Sequence, residues 1–356
     1  MKAWQVAQHG GSEVLKRVEL PKPEPGPLEA RVRVEALGLN HLDLWVRKGV
    51  PGHKFPLPLV PGNDIAGVVD AFGPGGQEAA AADGLKPGSG VLLNPGLSCG
   101  RCEACLVGSD ELCPRYGILG ETRDGGAAEF VVVPVQNLIS RPAGLSAAEA
   151  ACLPIPFLTA WTMLTRKAAL RPGETVLIHA GGSGVSVAAI QMAKLLGATV
   201  ITTVGSDEKA RKAEALGADH VINYRSQPMR EAVKKILSAM GKRGCEVIVD
   251  HVGVETWGDS MKLLSRGGRL VTCGATSGAD VSIDLKAVFF KCLSILGSTM
   301  GSKGEFLRVI ELVRQGRLRP VLDSTFPMDE LPAAMAKLER REAFGKVVLT
   351  CSSSVT

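Results

Sequence analysis

The residues TVLIHAGGSGVSVAAIQMAKLLGATVITTV, numbers 175–204, have the pattern of a strand, a glycine-rich loop, a helix and a second strand. Apolar and β-branched residues fill both strand segments, and apolar residues recur at helical spacing over 185–196. Two strands joined in this way by a helix lie parallel in one sheet. The alternation continues with a helix and three strands, at 207–216, 220–222, 246–250 and 269–274. The pattern predicts an α/β fold with a doubly wound parallel sheet, a Rossmann domain.

The glycine-rich loop is the first candidate binding element. A turn without bulky side chains, placed before a helix, brings backbone N–H groups and the positive end of the helix dipole to a pyrophosphate. The loop therefore predicts a dinucleotide cofactor, bound by Gly181, Gly182, Ser183, Gly184 and Val185. A plain strand-to-helix turn is the alternative. Ser186 stands where such loops often have a third glycine, and its small side chain predicts only a minor packing adjustment.

The end of the second strand bears on the choice between NAD and NADP. Enzymes that use NAD place an acidic residue there to bind the ribose 2′-hydroxyl. This strand ends at Val204-Gly205-Ser206 without a carboxylate, and Ser206 and Lys209 are suited to a 2′-phosphate. The sequence therefore favours NADP. NAD remains open, because two acidic residues follow at 207–208 and Lys209 has an alternative role as a solvated surface residue.

Composition limits the class of protein. A chain of 356 residues is longer than a single hydrophobic core usually accommodates, so two domains are expected. The 41 basic and 36 acidic residues are interspersed, which argues against a nucleic-acid partner. The beginning of the chain has no apolar segment, and no run approaches 18 apolar residues, so we expect a cytoplasmic protein that does not enter a membrane. The Ser-rich residues 351–356 are expected to be a frayed tail.

Four of the nine cysteines lie in one loop, residues 95–115, with the spacing C-x2-C-x2-C-x7-C. Four thiolates complete the tetrahedral coordination of Zn²⁺ and leave no open position, so the loop predicts one structural zinc. An iron–sulfur cluster, disulfides or vacant thiols are the alternatives. The other five cysteines are interpreted as ordinary small buried residues. The predicted ligands are Cys99, Cys102, Cys105 and Cys113.

A four-cysteine lobe upstream of a glycine-loop Rossmann unit resembles the medium-chain dehydrogenase/reductase superfamily, which includes zinc alcohol dehydrogenases and quinone oxidoreductases. Five further stretches match: GLNHLD (38–43), VPGNDIAG (60–67), LTAW (158–161), LGADHVINY (216–224) and GKVVL (345–349). The resemblance implies a GroES-like, β-rich catalytic domain at 1–153 that contains the zinc lobe 95–115. It implies the Rossmann domain at 154–296, and a return of 297–356 to the catalytic domain. It also implies a homodimer or homotetramer.

The chain departs from the zinc alcohol dehydrogenases at the catalytic metal. Those enzymes have a cysteine, a His-Glu pair and a cysteine or acidic residue where this chain has Asn40, Asn63-Asp64 and Ile155. Carboxamides and an aliphatic side chain do not replace thiolate and imidazole ligands. The chain is therefore more similar to the quinone-oxidoreductase branch, which lacks catalytic zinc. The expected substrate is a small carbonyl compound: a quinone, an enone or another α,β-unsaturated carbonyl, reduced by hydride transfer.

Two other functions stay open. One is an alcohol dehydrogenase with an unconventional zinc held by His41 and Asp64. The other is a cofactor-binding protein with a structural or regulatory role. The candidate catalytic residues are Asn40, His41, Asp43, Asn63 and Asp64, for which turn residues, a surface histidine and, at Asp43, a helix cap are the alternative roles. The further candidate cofactor residues, with packing as their alternative, are Thr159, Tyr224, Gly274, Gly297, Ser298 and Lys346.

Overall fold

The computed structural model describes residues 1–351, and the rest of the predicted tail lies outside this range. The chain divides into two compact units. Unit 1 contains Met1–Ile155 and the chain from Ser302 onward, and unit 2 contains Pro156–Gly301.

Seventeen strands are present among the described residues. They are β1 (Lys2–Val6), β2 (Leu15–Glu19), β3 (Glu29–Gly38), β4 (Asp64–Phe72), β5 (Gly90–Leu93), β6 (Gly96–Leu97), β7 (Gly117–Ile118), β8 (Phe130–Pro134), β9 (Leu138–Ser140), β10 (Thr175–Ile178), β11 (Thr199–Val204), β12 (His220–Asn223), β13 (Cys245–Val249), β14 (Leu264–Thr272), β15 (Ser294–Gly297), β16 (Leu322–Pro327) and β17 (Lys346–Thr350).

Twelve α-helices are present in the same part of the chain, together with short 3-10 segments and a π-helical stretch at Thr162–Lys167. They are α1 (His41–Lys48), α2 (Gly76–Ala81), α3 (Glu103–Leu106), α4 (Ala147–Ala150), α5 (Pro154–Trp161), α6 (Gly184–Leu195), α7 (Asp207–Ala215), α8 (Met229–Ala239), α9 (Val254–Leu263), α10 (Leu285–Lys291), α11 (Lys303–Arg314) and α12 (Leu331–Glu339).

Unit 1 is built on a seven-stranded sheet of order β16-β17-β3-β4-β5-β9, with β8 also paired to β3. The long strand β3 is central, and its last residue, Gly38, pairs with Val348 of β17 and with Asp64 of β4. The antiparallel register therefore brings the chain after β3, the first residue of β4 and the beginning of β17 to one place. That place is the candidate catalytic site.

Unit 2 is the predicted doubly wound parallel sheet. Its order is β12-β11-β10-β13-β14-β15, and all five strand pairings are parallel. The strand order reverses between β10 and β13. Sheets of this kind bind ligands outside the carboxyl ends of the strands at such a reversal. The glycine-rich loop follows β10, which places it at this point.

Local sequence signals explain most element boundaries. The predicted strand at 175–178 coincides with β10, and the helix predicted from Val185 begins one residue earlier. Ser146 accepts a hydrogen bond from the N–H of Glu149, and the two residues form a capping box at the start of α4. β14 begins five residues before its predicted start, because Leu264 already pairs with Cys245 across a bulge.

One helical stretch, Ala147–Lys167, has the length and mean hydropathy of a membrane span, with 72% of its most apolar window buried inside the structure. A core helix of a globular protein gives the same result, so this is weak evidence for a membrane.

Candidate functional site

A buried ion pair organises the catalytic region of unit 1. The Lys346 ammonium donates to Oδ2 of Asp64 at 2.8 Å, to Oδ1 of Asn40 at 2.7 Å and to the carbonyl of Leu39 at 2.6 Å. Asn40 Nδ2 donates to Asp64 Oδ2 at 2.9 Å, and the N–H of Ile155 donates to Asp64 Oδ1 at 2.7 Å. Lys346 and Asp64 are almost completely buried. The charges therefore compensate each other, and all three ammonium hydrogens are used.

Asn40 retains one hydrogen for a ligand. Its Oδ1 accepts from Lys346 and one Nδ2 hydrogen goes to Asp64, so the second Nδ2 hydrogen has no acceptor among the described residues. Asn40 is partly exposed. An ammonium on the amide oxygen polarises the carboxamide and strengthens its N–H donor. The arrangement thus presents a fixed donor suited to an oxygen that gains negative charge.

The other predicted catalytic residues adjoin this cluster in sequence but differ in environment. Asp43 is fully buried in the first turn of α1, and its Oδ2 accepts from the N–H of Asn40 at 2.7 Å. Burial, assisted by the negative charge of Asp64, raises the pKa of Asp43 to about 7. Asn63 is also buried and donates to the carbonyl of Leu119. His41, the first residue of α1, is partly exposed.

The glycine-rich loop of unit 2 offers a set of donors. Ser183 is the N-cap of α6, and its Oγ accepts from the N–H of Ser186 at 3.1 Å. The N–H groups of Gly184 and Val185 open the helix, and none of the described residues accepts from them. A Cβ on Gly181 would lie 2.4 Å from Thr202 Oγ1, so the turn requires glycine there. These unpaired donors at a helix N-terminus fit the pyrophosphate of a dinucleotide.

The end of β11 combines hydroxyl and basic side chains. Ser206 is the N-cap of α7, and its Oγ accepts from the N–H of Lys209. The Tyr224 phenol lies across Gly205: a Cβ there would be 2.7 Å from Tyr224 Oη and 3.7 Å from Arg225 Nε. Arg225 was not among the residues predicted from sequence. Its signal is its position two residues after the end of β12, whose carboxyl end adjoins that of β11.

The remaining cofactor candidates of unit 2 lie at the carboxyl ends of β14 and β15 and in α5. Gly274 follows β14, and Gly297 ends β15. Ser298 donates its N–H to the carbonyl of Thr272, while its buried Oγ has no hydrogen-bond partner in the structure. Thr159 is buried in α5. An orphan hydroxyl at the carboxyl edge of the sheet is a candidate ligand for a polar group of the cofactor.

The predicted metal lobe of unit 1 brings its four sulfurs within 4.8 Å of one another. Sγ of Cys105 lies 3.9 Å from that of Cys99 and 3.4 Å from that of Cys102. Tetrahedral zinc with bonds of about 2.3 Å needs sulfur separations of about 3.8 Å, so the donor set fits this ion. Hydrogen bonds from the Arg101 N–H and from Arg115 lower the pKa of Cys99 to about 5, which favours the thiolate.

Two functional groupings were not apparent from sequence. Lys346 was assigned to the cofactor, whereas the structure places it inside unit 1 against Asn40 and Asp64. Its signal was a lysine at the start of an apolar strand, because a buried ammonium requires a carboxylate partner. The sequence patterns do not indicate His251, which lies two residues after the end of β13 and contacts Ser183 of the glycine-rich loop.

Comparison with known proteins agrees with this architecture. Residues 26–143 match the alcohol dehydrogenase GroES-like domain, and residues 184–315 match the zinc-binding dehydrogenase family. The chain is 32% identical to an NAD-dependent alcohol dehydrogenase of Sulfolobus acidocaldarius, covering 96% of this chain and 97% of that one. It is 28% identical to human quinone oxidoreductase, covering 98% and 97%.

Solved structures give the same result. A crystal structure of an NAD-dependent alcohol dehydrogenase is 50% identical, with a TM-score of 0.92 over 98% of this chain and 99% of that chain. With the doubly wound sheet, the glycine-rich loop and the GroES-like unit, these matches identify the family. The chain belongs to the medium-chain dehydrogenase/reductase superfamily and is a nicotinamide-dependent oxidoreductase.

Proposed function

We propose that this oxidoreductase reduces quinones, enones or other α,β-unsaturated carbonyl compounds with NADPH, without a catalytic metal. The observation that carries the proposal is the Asn40–Asp64–Lys346 cluster. Both Asp64 oxygens already accept hydrogen bonds, and Lys346 compensates the charge. Within residues 1–351, only the four-cysteine lobe gathers three or more His, Cys, Asp or Glu ligands around one point.

Reduction of a conjugated carbonyl suits such a site. The nicotinamide, when bound, supplies the hydride. Charge then develops on the substrate oxygen, and a fixed donor that already points at that oxygen lowers the barrier. The free Nδ2 hydrogen of Asn40 is such a donor, and Lys346 and Asp64 hold its amide plane. Alcohol oxidation instead requires a group that lowers the hydroxyl pKa, which zinc provides in other enzymes.

The four cysteines would hold one structural zinc. Its contribution would be to stabilise the loop, because four thiolates leave no position for substrate. Lys303, the first residue of α11, contacts this loop: its Nζ donates to Asp110 Oδ2 at 3.2 Å and to Ser98 Oγ at 2.6 Å. All nine cysteines are free, which supports the proposed cytoplasmic location, where thiols stay reduced.

The NADP preference rests on the end of β11. Tyr224 and Arg225 lie beside Gly205, Ser206 follows it, and Lys209 lies in the first turn of α7, while the strand end itself has no carboxylate. Asp207 Oδ1 accepts a hydrogen bond from Asn223 Nδ2 at 2.7 Å. A 2′-phosphate bound here would form charge-assisted hydrogen bonds with the side chains of Lys209 and Arg225. Lys209→Ala and Arg225→Ala are each expected to raise the KM for NADPH about tenfold and to leave the KM for NADH unchanged.

The names of several relatives favour a second candidate, an alcohol dehydrogenase. Zinc analysis and a substrate panel separate the two. We expect about one zinc per chain, from the thiolate lobe alone, and consumption of NADPH with quinones and enones. Two zinc ions per chain, together with chelator-sensitive alcohol oxidation, would establish the alcohol dehydrogenase. Cofactor binding without turnover across the panel would indicate a binding protein.

The role of Asn40 has its own test. Asn40→Ala is expected to lower kcat/KM for a quinone or enone about 100-fold and to leave the Kd for NADPH unchanged. Gln77→Ala, an exposed carboxamide on α2, is the matched control and should match the parent protein. Unchanged kcat/KM in a folded Asn40→Ala protein would remove the proposed oxygen donor.

We further propose that the chain forms a homodimer or homotetramer through unit 2. Strand β15 is an edge strand of the parallel sheet, and Ile295 on it and Phe289 and Phe290 of α10 are exposed. Unpaired strand edges with apolar neighbours favour pairing with another chain, and two copies of one edge satisfy each other around a twofold axis.

A further inference from the structure

Two buried histidines, His179 and His251, lie beneath the glycine-rich loop at the carboxyl ends of β10 and β13, and His179 also contacts Thr203 of β11. His251 Nε2 lies 2.9 Å from Ser186 Oγ and 3.2 Å from Ser183 Oγ. His179 Nε2 lies 2.9 Å from Ser260 Oγ, which donates to Asp250 Oδ2 at 2.7 Å. Both histidines are almost completely buried. The number of hydrogens available to each group determines what His251 does.

The Ser186 hydroxyl has one hydrogen, which it donates to the carbonyl of His179 at 2.7 Å. Ser186 Oγ can therefore only accept from His251, so His251 Nε2 carries the hydrogen. Burial, as the largest effect, lowers the pKa of His251 to about 4, so at neutral pH the ring has a single hydrogen to place.

The Ser183 hydroxyl is constrained in turn. Its Oγ accepts from the N–H of Ser186 and also from His251, whose single Nε2–H is shared between Ser186 Oγ at 2.9 Å and Ser183 Oγ at 3.2 Å. Both lone pairs are thereby occupied, and the hydroxyl hydrogen is left to donate. None of the described residues accepts it, and Ser183 is partly exposed. The hydrogen therefore joins the unpaired N–H groups of Gly184 and Val185 as a third donor of the loop.

We propose that His251 is a positioning residue for cofactor binding: its Nε2–H fixes the Ser183 hydroxyl as a hydrogen-bond donor to the pyrophosphate. His251 does not touch the phosphate itself. A side chain without this donor leaves Ser183 free to rotate its hydroxyl hydrogen toward the interior. The proposal concerns only unit 2 and does not depend on which substrate the enzyme reduces.

The test measures binding of two probes by calorimetry or competition. ADP-ribose contains the pyrophosphate, and adenosine lacks both phosphates. His251→Ala is expected to raise the Kd for ADP-ribose about tenfold, the effect of one hydrogen bond to a charged acceptor. The Kd for adenosine should stay within about twofold. His251→Gln keeps an N–H donor near the Nε2 position and should lose about threefold or less.

Ser183→Ala completes a double-mutant cycle. If His251 acts through Ser183, adding His251→Ala to Ser183→Ala causes no further loss of ADP-ribose affinity. His220→Ala is the matched control, because His220 lies at the amino end of β12, at the opposite edge of the sheet. Thermal unfolding identifies variants that fail to fold. If His251→Ala does not fold, His251→Gln is compared with the parent protein, both with Ser183 intact and combined with Ser183→Ala.

Three results would overturn the proposal. The first is a folded His251→Ala protein that retains the parent affinity for ADP-ribose. The second is an equal loss of affinity for adenosine and ADP-ribose, and the third is that the two single losses multiply in the double variant. Each of these outcomes would show that His251 supports the fold of unit 2 and does not orient Ser183.

Discussion

At the scale of single residues, the most consequential side chain is a lysine whose partners are distant in sequence: Lys346 is 306 positions from Asn40 and 282 from Asp64. The ammonium of Lys346 and the carboxylate of Asp64 are both buried, so removing either leaves an uncompensated charge. The stability of the fold therefore depends on this pair, separately from catalysis.

Lys346→Met is expected to lower the free energy of unfolding by about 3–5 kcal/mol, because Asp64 is left charged and buried. Combining it with Asp64→Asn should recover a large part of this loss, since the remaining carboxamide is neutral. Urea unfolding measures both. Lys54→Met, at an exposed position, is the control. Equal stability of the Lys346→Met and parent proteins would mean that the ion pair contributes nothing.

Asp43 gives a pH prediction. Burial raises its folded pKa to about 7, from 3.8 for an ordinary aspartate, so the folded state holds a proton that the unfolded state releases between these values. Its contribution to stability is therefore complete below pH 4 and is lost as the pH rises to 7, by about 4 kcal/mol. Urea unfolding of the parent and of Asp43→Asn at pH 4.5–7.5 should give a difference that changes in this direction. A constant difference would contradict the shifted pKa.

At the scale of elements, sequence patterns succeeded where local chemistry sets the boundary. The strand Thr175–Ile178 and the start of α6 depend on neighbours within a few residues, and both lie within one residue of the prediction. β14 was placed too late, because the pairing of Leu264 with Cys245 depends on a bulge that apolar periodicity does not reveal. The link between Lys346 and Asp64 arises from the register of β17, β3 and β4, which no local pattern encodes.

The cysteine loop is one such locally determined element. Cys105→Ser is expected to reduce the zinc content from about one per chain to about zero, because a hydroxyl replaces one of four thiolates. Residues 95–115 should then become the first site of limited proteolysis. Cys292→Ser, an exposed cysteine of unit 2, should leave both readouts unchanged. Retention of zinc by Cys105→Ser would place the metal elsewhere.

His251, which lies under the glycine-rich loop, makes stability depend on pH in the opposite sense to Asp43. Burial lowers the folded pKa of His251 to about 4, from 6.5, so the unfolded state binds a proton first as the pH falls. Its contribution is complete above pH 6.5 and falls by about 3 kcal/mol towards pH 4. His251→Gln, which does not titrate, should show a shallower loss of stability between pH 6.5 and 4. Identical pH profiles would be incompatible with a buried neutral imidazole.

At the scale of the whole molecule, chain length predicts two domains, and the βαβ pattern predicts a Rossmann domain with a dinucleotide cofactor, whereas the GroES-like domain follows only from the family resemblance. The proposed oligomer follows from sequence only through the family resemblance. The edge strand that would form its interface can be identified only once the sheet order is known. Ile295→Lys puts a charge on the exposed edge strand β15 and is expected to convert the proposed oligomer into single chains, measured by light scattering after size exclusion. Leu28→Lys, an exposed residue of unit 1, is the control. An unchanged mass for Ile295→Lys would direct the search to another surface.

The tyrosine that crosses the end of β11 has a consequence for redesigning coenzyme use. Gly205→Asp is the obvious way to install the acidic group that selects NADH, yet its first side-chain carbon would lie 2.7 Å from the oxygen of Tyr224. The substitution Gly205→Asp alone therefore produces a steric clash with Tyr224, whether or not its carboxylate is within reach of the cofactor ribose. A change from the proposed NADPH preference to NADH therefore requires a second substitution, which replaces Tyr224 by a smaller side chain.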